Sequence, residues 1–255
     1  MIREYYNQDG ERLYILHFSG VTYDSFGHLI AEKNKDTKIT VDEDISIISP
    51  VNEDFYNKSP LMRQLENSGI QLYNSEAAFN DTKWNNTRKI NYVLECLDKV
   101  KTKYALITDA RDVIFVNNLD KSFIEAYKSF GKPILYNSTS TRFPNVQVEP
   151  QEEIDELFTY NKFLNAGVCF GEVEALKKFY KHCLEIKDTF ENNYSEQLII
   201  RTARLDMPEL IAIDYDAKII RNYHANDGYI QRLYDDETGP EVRKFKIFFR
   251  QSKGA

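Results

Sequence analysis

The sequence predicts an α/β fold, a largely parallel and doubly wound sheet flanked by helices, in a single domain covering 1–255. Three observations carry this expectation. Short apolar runs alternate with stretches of helical periodicity along the chain. Ser, Asp, Pro and Gly stand where helices should start and stop. The length of 255 residues suits one large α/β domain better than two small ones.

In chain order, 13–18 reads as a buried strand ended by Ser19-Gly20, and 45–48 as a second, closed by Ser49-Pro50. A helix follows, with Ser59 as N-cap, Pro60 in its first turn and Gly69 just past its end. Residues 70–73 form a short strand. Ile90, Val93, Leu94, Leu97 and Val100 recur at helical spacing across 88–100. The strand 104–108 comes next, then the apolar run 113–116. A helix over 120–130 is capped by Asp120 and stopped by Gly131, and 133–136 is a strand. The polar segment 137–150 reads as a loop, and the stretch from 137 to 161 as the best place for mobility or substrate entry. Helices are expected over 151–160, 172–186 and 195–204, with strands at 166–170 and 210–213. The last forty residues are mixed, and 245–249 could be strand or helix.

Composition removes several function classes. A hydrophobic fraction of 42% with 29% charged residues describes an ordinary soluble globular chain. The net charge is −7 and no dense Lys/Arg stripe occurs, which argues against a nucleic-acid partner. Cys96, Cys169 and Cys183 show no paired spacing, so neither a disulfide framework nor a zinc site is expected. The first ten residues lack an apolar signal region, and no run approaches the roughly 18 apolar residues of a membrane span. A cytoplasmic location is the expectation. The Gly-rich phosphate loops of dinucleotide-binding and P-loop enzymes are missing, as is the Gly-x-Ser-x-Gly elbow of hydrolases.

The chemistry concentrates at Asp109 and Asp112, confined between the apolar runs 104–108 and 113–116. Ligands of such sheets bind at the carboxyl ends of the strands. Two carboxylates this close repel each other unless a cation lies between them. Mg²⁺ or Mn²⁺ carrying substrate phosphates would answer that need. A strand-end turn that uses Asp only for its geometry is the other reading.

The run Thr108-Asp109-Ala110-Arg111-Asp112-Val113-Ile114-Phe115 resembles the metal motif (the DxD motif) of GT-A glycosyltransferases. It is similar to the glycosyltransferase domain of procollagen lysyl hydroxylases and its bacterial and viral relatives. Further pieces resemble that family in order: Lys89 at a helix start, 136–145 with Pro144, 160–167 ending Leu-Asn-Ala-Gly, Ser195-Glu196-Gln197-Leu198, and 213–222. The resemblance covers roughly 85–222, with the first strand added by position. It implies a GT-A-like (Rossmann-like) fold with a nucleotide-binding part at about 11–118 and an acceptor and sugar part at about 119–255. It implies a metal-dependent transfer of a hexose from a nucleotide sugar, UDP-linked, to a hydroxyl of a glycan or glycoprotein.

On that resemblance Asp109 and Asp112 hold Mn²⁺ or Mg²⁺, and Asp109 also meets the nucleotide. Lys89 adds positive charge near the phosphates. Asn165 and Gly167 approach the sugar, Glu196 and Gln197 point at sugar or acceptor, and Ser19 and Tyr23 meet base and ribose. The family's third metal ligand is a late His, matched here by His224 in His-Ala-Asn-Asp-Gly. His17, His28 and His182 read as structural or surface residues. The chain departs from the family at Thr139, where an acidic residue is expected, and in lacking the Cys and Trp neighbours of that loop. A sugar nucleotidyltransferase and a catalytically silent nucleotide-sugar-binding module are the competing functions.

Overall fold

The computed structural model describes residues 5–6, 10, 12–20, 23, 27–157, 159, 161–190 and 195–223. In chain order its elements are β1 (Ile15–Phe18), α1 (His28–Asn34), β2 (Ile45–Ile48), α2 (Glu53–Lys58), α3 (Pro60–Ser68), β3 (Leu72–Tyr73) and α4 (Glu76–Phe79). Then come α5 (Lys89–Leu97), β4 (Tyr104–Thr108), β5 (Val113–Phe115), α6 (Lys121–Lys128), β6 (Ile134–Thr139) and α7 (Gln151–Asp155). The series closes with β7 (Phe163–Glu172), α8 (Val173–Lys187), α9 (Glu196–Asp206), β8 (Ile211–Asp214) and β9 (Ile220–Tyr223).

The α/β expectation holds: the strands build two sheets flanked by helices. Six strands form the larger sheet in the order β3-β2-β4-β7-β6-β8, and three form the smaller in the order β5-β1-β9. In the larger sheet the β2–β3, β2–β4 and β6–β8 pairings are parallel, and β7 runs against both β4 and β6. The first strand lies in the smaller sheet, antiparallel to β5 and parallel to β9, so β2 and not β1 is the parallel neighbour of β4.

Alternation explains why these runs are apolar throughout. Tyr104 and Leu106 of β4 enter a core with Leu61 and Leu65 of α3 and Phe123 of α6. Ala105 and Ile107 face the opposite way, into a core with Val93 and Leu97 of α5 and Leu176 and Phe179 of α8. A strand buried on both faces reads as a near-continuous apolar run. The smaller sheet shares Ile15 and Phe115 with the first core, while Leu16, Phe18 and Ile114 pack against Ile30 of α1.

The helix punctuation is where sequence and structure agree most closely. Ser59 accepts from Met62 N, Pro60 opens α3, and Gly69 closes it at φ 68°, a left-handed conformation that suits glycine. Asp120 caps α6 as expected, and Ser195, read as the first residue of its helix, caps α9. The strands are less well bounded. Residues 137–139 belong to β6 rather than to a loop, and β7 runs over ten residues, so Asn165–Gly167 falls inside it. Both differences have one cause: past a register shift, residues 137–139 of β6 pair with residues 163–165 of β7, so the ladder continues through residues that carry no continuous apolar run. Helix α7 stops at Asp155 instead of reaching 160. The mixed segment beyond Tyr223, 245–249 included, lies outside the described residues.

The segment expected to be mobile is held down by one side chain. Arg201 of α9 is buried and spends all five N–H donors. Nε and one terminal nitrogen grip Glu149 at 2.6 and 2.7 Å, and the others reach the carbonyls of Phe143, Pro144 and Val146 at 3.2, 3.0 and 2.8 Å. One turn further on, Arg204 pairs with Glu153 of α7. Removing the guanidinium leaves a buried carboxylate without its cation. Arg201→Met should therefore cost about 3–5 kcal/mol in urea unfolding, and adding Glu149→Leu should recover most of it.

Candidate functional site

The site begins at the seam between the two sheets. Strand β4 ends at Thr108 and β5 begins at Val113 in the other sheet, so residues 109–112 cross from one to the other. Each part of this crossing is fastened. Ser49 Oγ donates to Thr108 O at 2.8 Å, and Ser59 Oγ donates to Ala110 O. Asp109 N donates to Gly167 O at 2.8 Å, and Phe18 N donates to Asp112 O at the same distance. Asp109 is thereby fixed to β7 and Asp112 to β1.

His17, read from the sequence as a structural or surface histidine, is buried and is brought into this cluster. It lies opposite Val113 in the β1–β5 pairing, next to Asp112. Its Nε2 stands 3.5 Å from Asp112 Oδ2 and 3.9 Å from Asp109 Oδ2, and makes no hydrogen bond. One ligating atom from each of the three residues lies within 4.8 Å of the others. Burial pulls the imidazole pKa down, but Asp112 and then Asp109 outweigh it, and the net shift is upward. The donor set of two carboxylates and one imidazole fits a divalent ion, and the unpaired Nε2 aimed at the carboxylates is what such an ion would need. The sequence held a signal for His17, a lone polar residue inside the buried strand Ile15-Leu16-His17-Phe18.

A second charged pair adjoins the first. Lys89, the first residue of α5, is buried, and its Nζ pairs with Asp109 and lies 3.4 Å from Glu196 Oε1. Burial disfavours the ammonium, yet the two carboxylates overcome that and raise its pKa. Glu196 is buried at the start of α9 and is pushed up to about 7, by burial first, with Lys89 opposing and Asp109 adding to the rise. A carboxyl that changes charge near neutrality is suited to proton transfer.

These groups line a cleft of about 470 Å³. Ser19, Asn165, Gly167 and Gln197 also line it, as do Trp84 and Phe143, which sequence reasoning did not single out. Gln197 bridges two walls: its Oε1 accepts from Ala166 N at 3.2 Å and its Nε2 donates to Phe143 O at 2.9 Å. Residues 50–52, at the end of β2, line the cleft too, beside Ser19 and Gly20 at the end of β1. Tyr23 lies beside the cleft, its ring 5.4 Å from the Arg111 guanidinium. Thr139, at the end of β6, lines the cleft as well. His224 lies outside the described residues. His28 and His182 are away from the cleft: His28 meets Tyr23 O and His182 pairs with Asp206.

No protein-family model matches this sequence, and no curated protein does. Among solved structures, the chain is similar to a glycosyltransferase involved in the glycosylation of the major capsid of PBCV-1. The identity is 15%, over 70% of this chain and 81% of that one, with a TM-score of 0.44. A likeness this distant carries no activity from one chain to the other. No helix among the described residues is long and apolar enough to cross a membrane.

Gly167 is the tightest contact of the cluster. A Cβ there would stand 2.3 Å from His17 Cε1, 2.7 Å from its Nε2 and 2.8 Å from Asp109 Oδ2. Gly167→Ala should displace the imidazole and weaken divalent-ion binding, read by calorimetry, by about tenfold or more. Glu196 gives a pH signature. Its folded pKa lies above the unfolded value, so the fold binds the extra proton, and its contribution to stability falls as pH rises from about 4.5 to about 7. The melting temperature of Glu196→Gln relative to the wild type should therefore rise between pH 5 and pH 8.

Proposed function

We propose that this chain is a metal-dependent glycosyltransferase that moves a hexose from a nucleotide sugar, UDP-linked, to a hydroxyl of a glycan or glycoprotein. The observation that carries the reading is the His17–Asp109–Asp112 cluster, in one cleft with buried Lys89 and Glu196. The order of motifs that resembles the glycosyltransferase domain of lysyl hydroxylases supports it from the sequence side.

The residues divide the work by charge. Asp109 and Asp112 would hold the ion, with His17 beside them. Mn²⁺ or Mg²⁺, when bound, supplies Lewis-acid stabilisation of the charge that grows on a diphosphate leaving group. Lys89 places a second positive charge beside Asp109, on the side of Glu196. Glu196 is the group placed to take the proton of an acceptor hydroxyl, and at pH above about 7 it is in the form to do so. Gly167 and Ala166 keep the β7 wall low enough for a sugar ring to come near the carboxylates. Gln197 holds the Phe143 carbonyl and so sets one edge of the cleft.

Two measurements test this. UDP should bind more tightly with Mn²⁺ than without it, and Asp112→Ala should abolish the difference. Unchanged affinity in that variant would remove the metal assignment. A panel of UDP-sugars with glycan acceptors should release UDP with at least one donor, and Glu196→Gln should slow that release by about 10²–10⁴-fold with little change in UDP affinity. Binding without turnover on any pair would favour a silent binding module. Release of pyrophosphate from a nucleoside triphosphate and a sugar phosphate would favour a nucleotidyltransferase.

A further inference from the structure

We infer that Asn137 is the positioning residue of the His17–Asp109–Asp112 centre. It fixes the imidazole in the Nδ1–H tautomer and so presents Nε2 as a ligand, which tilts the site toward a transition ion such as Mn²⁺ over Mg²⁺. The inference rests on the divalent-ion reading above and goes beyond it in naming the nitrogen, the residue that orients it and the ion it selects.

The cause is an irregularity in the sheet. Tyr136 pairs with Cys169, but Asn137 pairs with Asn165 rather than with Val168, so residues 166–168 of β7 bulge away from β6. A bulge takes carbonyls out of the ladder, and buried carbonyls need donors. The Asn137 amide supplies them. Its nitrogen donates to Val168 O at 3.1 Å and to Asn165 O at 2.6 Å, which spends both of its N–H groups. The amide orientation follows from this network, and its oxygen is left facing His17 Nδ1 at 3.2 Å. An amide oxygen can only accept, so Nδ1 carries the hydrogen. In the neutral ring Nε2 then holds the lone pair.

Nε2 faces two carboxylates at 3.5 and 3.9 Å. That arrangement favours a positive charge among the three groups, either the ring's own proton on Nε2 or a metal ion that replaces it. The same bulge brings Gly167 against the imidazole, where no larger residue fits, and this blocks the ring from that side. Asn137 is fully buried and does not line the cleft, so its effect on any ligand passes through His17. Metal-bound histidines commonly have the other ring nitrogen held in this manner, and loss of the holder costs about 10–100-fold in affinity. A nitrogen donor favours transition ions over Mg²⁺, which prefers oxygen.

Pulsed EPR of the full chain loaded with Mn²⁺ alone tests this, with Mn²⁺ and Mg²⁺ affinities measured alongside. The wild type should show one directly coordinated imidazole nitrogen. That signal should vanish in His17→Gln and persist in His224→Gln. Asn137→Leu should weaken Mn²⁺ binding about tenfold and Mg²⁺ binding by much less, while Asn137→Asp, which keeps an acceptor for Nδ1–H, should retain the nitrogen signal. Mn²⁺ bound without nitrogen coupling overturns the inference and spares the divalent-ion reading. The same holds if the coupling is lost in His224→Gln, or if folded Asn137→Leu keeps its Mn²⁺ preference. Should Asn137→Leu fail to fold, loss of the nitrogen signal in Asn137→Asp overturns it. Absence of any Mn²⁺ binding brings down both.

Discussion

Three carboxylates share this cleft with one ammonium, and the rest of the site is arranged around that imbalance. Asp109, Asp112 and Glu196 would carry three negative charges when ionised, against the Lys89 ammonium, which pairs with two of them, and the Arg111 guanidinium, which lies over the Tyr23 ring. In a low-dielectric setting such a cluster is expensive unless paired or bonded to a cation. The structure shows two partial answers. Lys89 sits at the start of α5, where the helix dipole disfavours a cation, because Asp109 and Glu196 outweigh the dipole there. His17 sits in the middle of an apolar strand because Asp112 and Asp109 lie beside it. Neither placement makes sense for its own element alone, and both make sense for the cleft.

How much of this could be read from the sequence depends on the kind of signal. Helix ends were legible because a cap is a local event: Ser59 and Gly69 act within a few residues of themselves. The strands β2 and β4 were legible because burial on both faces writes a continuous apolar run. The carboxylate pair was legible for the same reason, as an acidic break in such a run. What stayed hidden is long-range. That β1 leaves the larger sheet is decided by its pairing with β5 and β9, about a hundred residues and more away, and nothing in 13–18 encodes it. The Arg201–Glu149 pair joins residues 52 apart in sequence. A buried arginine on an amphipathic helix looks like an exposed one until its partner is located.

Helix α9 links the chemistry to the frame. Its first turn delivers Glu196 and Gln197 to the cleft, and one turn later Arg201 binds the segment 143–149. Phe143 O is held twice, by Gln197 and by Arg201. The long polar segment that looks free in the sequence is therefore fixed at its end nearest the cleft. Rigidity there would serve the proton transfer proposed for Glu196, since such a carboxyl gains from neighbours that stay in place while charge moves.

The β7 bulge shows how a defect in one layer can specify a site in another. A regular β6–β7 ladder would satisfy Asn165 O and Val168 O with backbone donors and would keep Gly167 in the plane of the sheet. The bulge instead commits the Asn137 nitrogen to those two carbonyls and turns its oxygen to His17, while the unshifted β4–β7 pairing runs one step past Thr108 and Val168 to join Asp109 N to Gly167 O. The regular edge of β7 thus fastens Asp109 through the backbone, and its irregular edge fastens His17 through a side chain. Polar residues buried in strands are a cost to folding unless each hydrogen bond is made. Asn137 makes all of its bonds, and His17 leaves only Nε2 unpaired, the atom that faces the acidic pair. Asn137 thereby settles one nitrogen of the ring and leaves the other to the acidic pair.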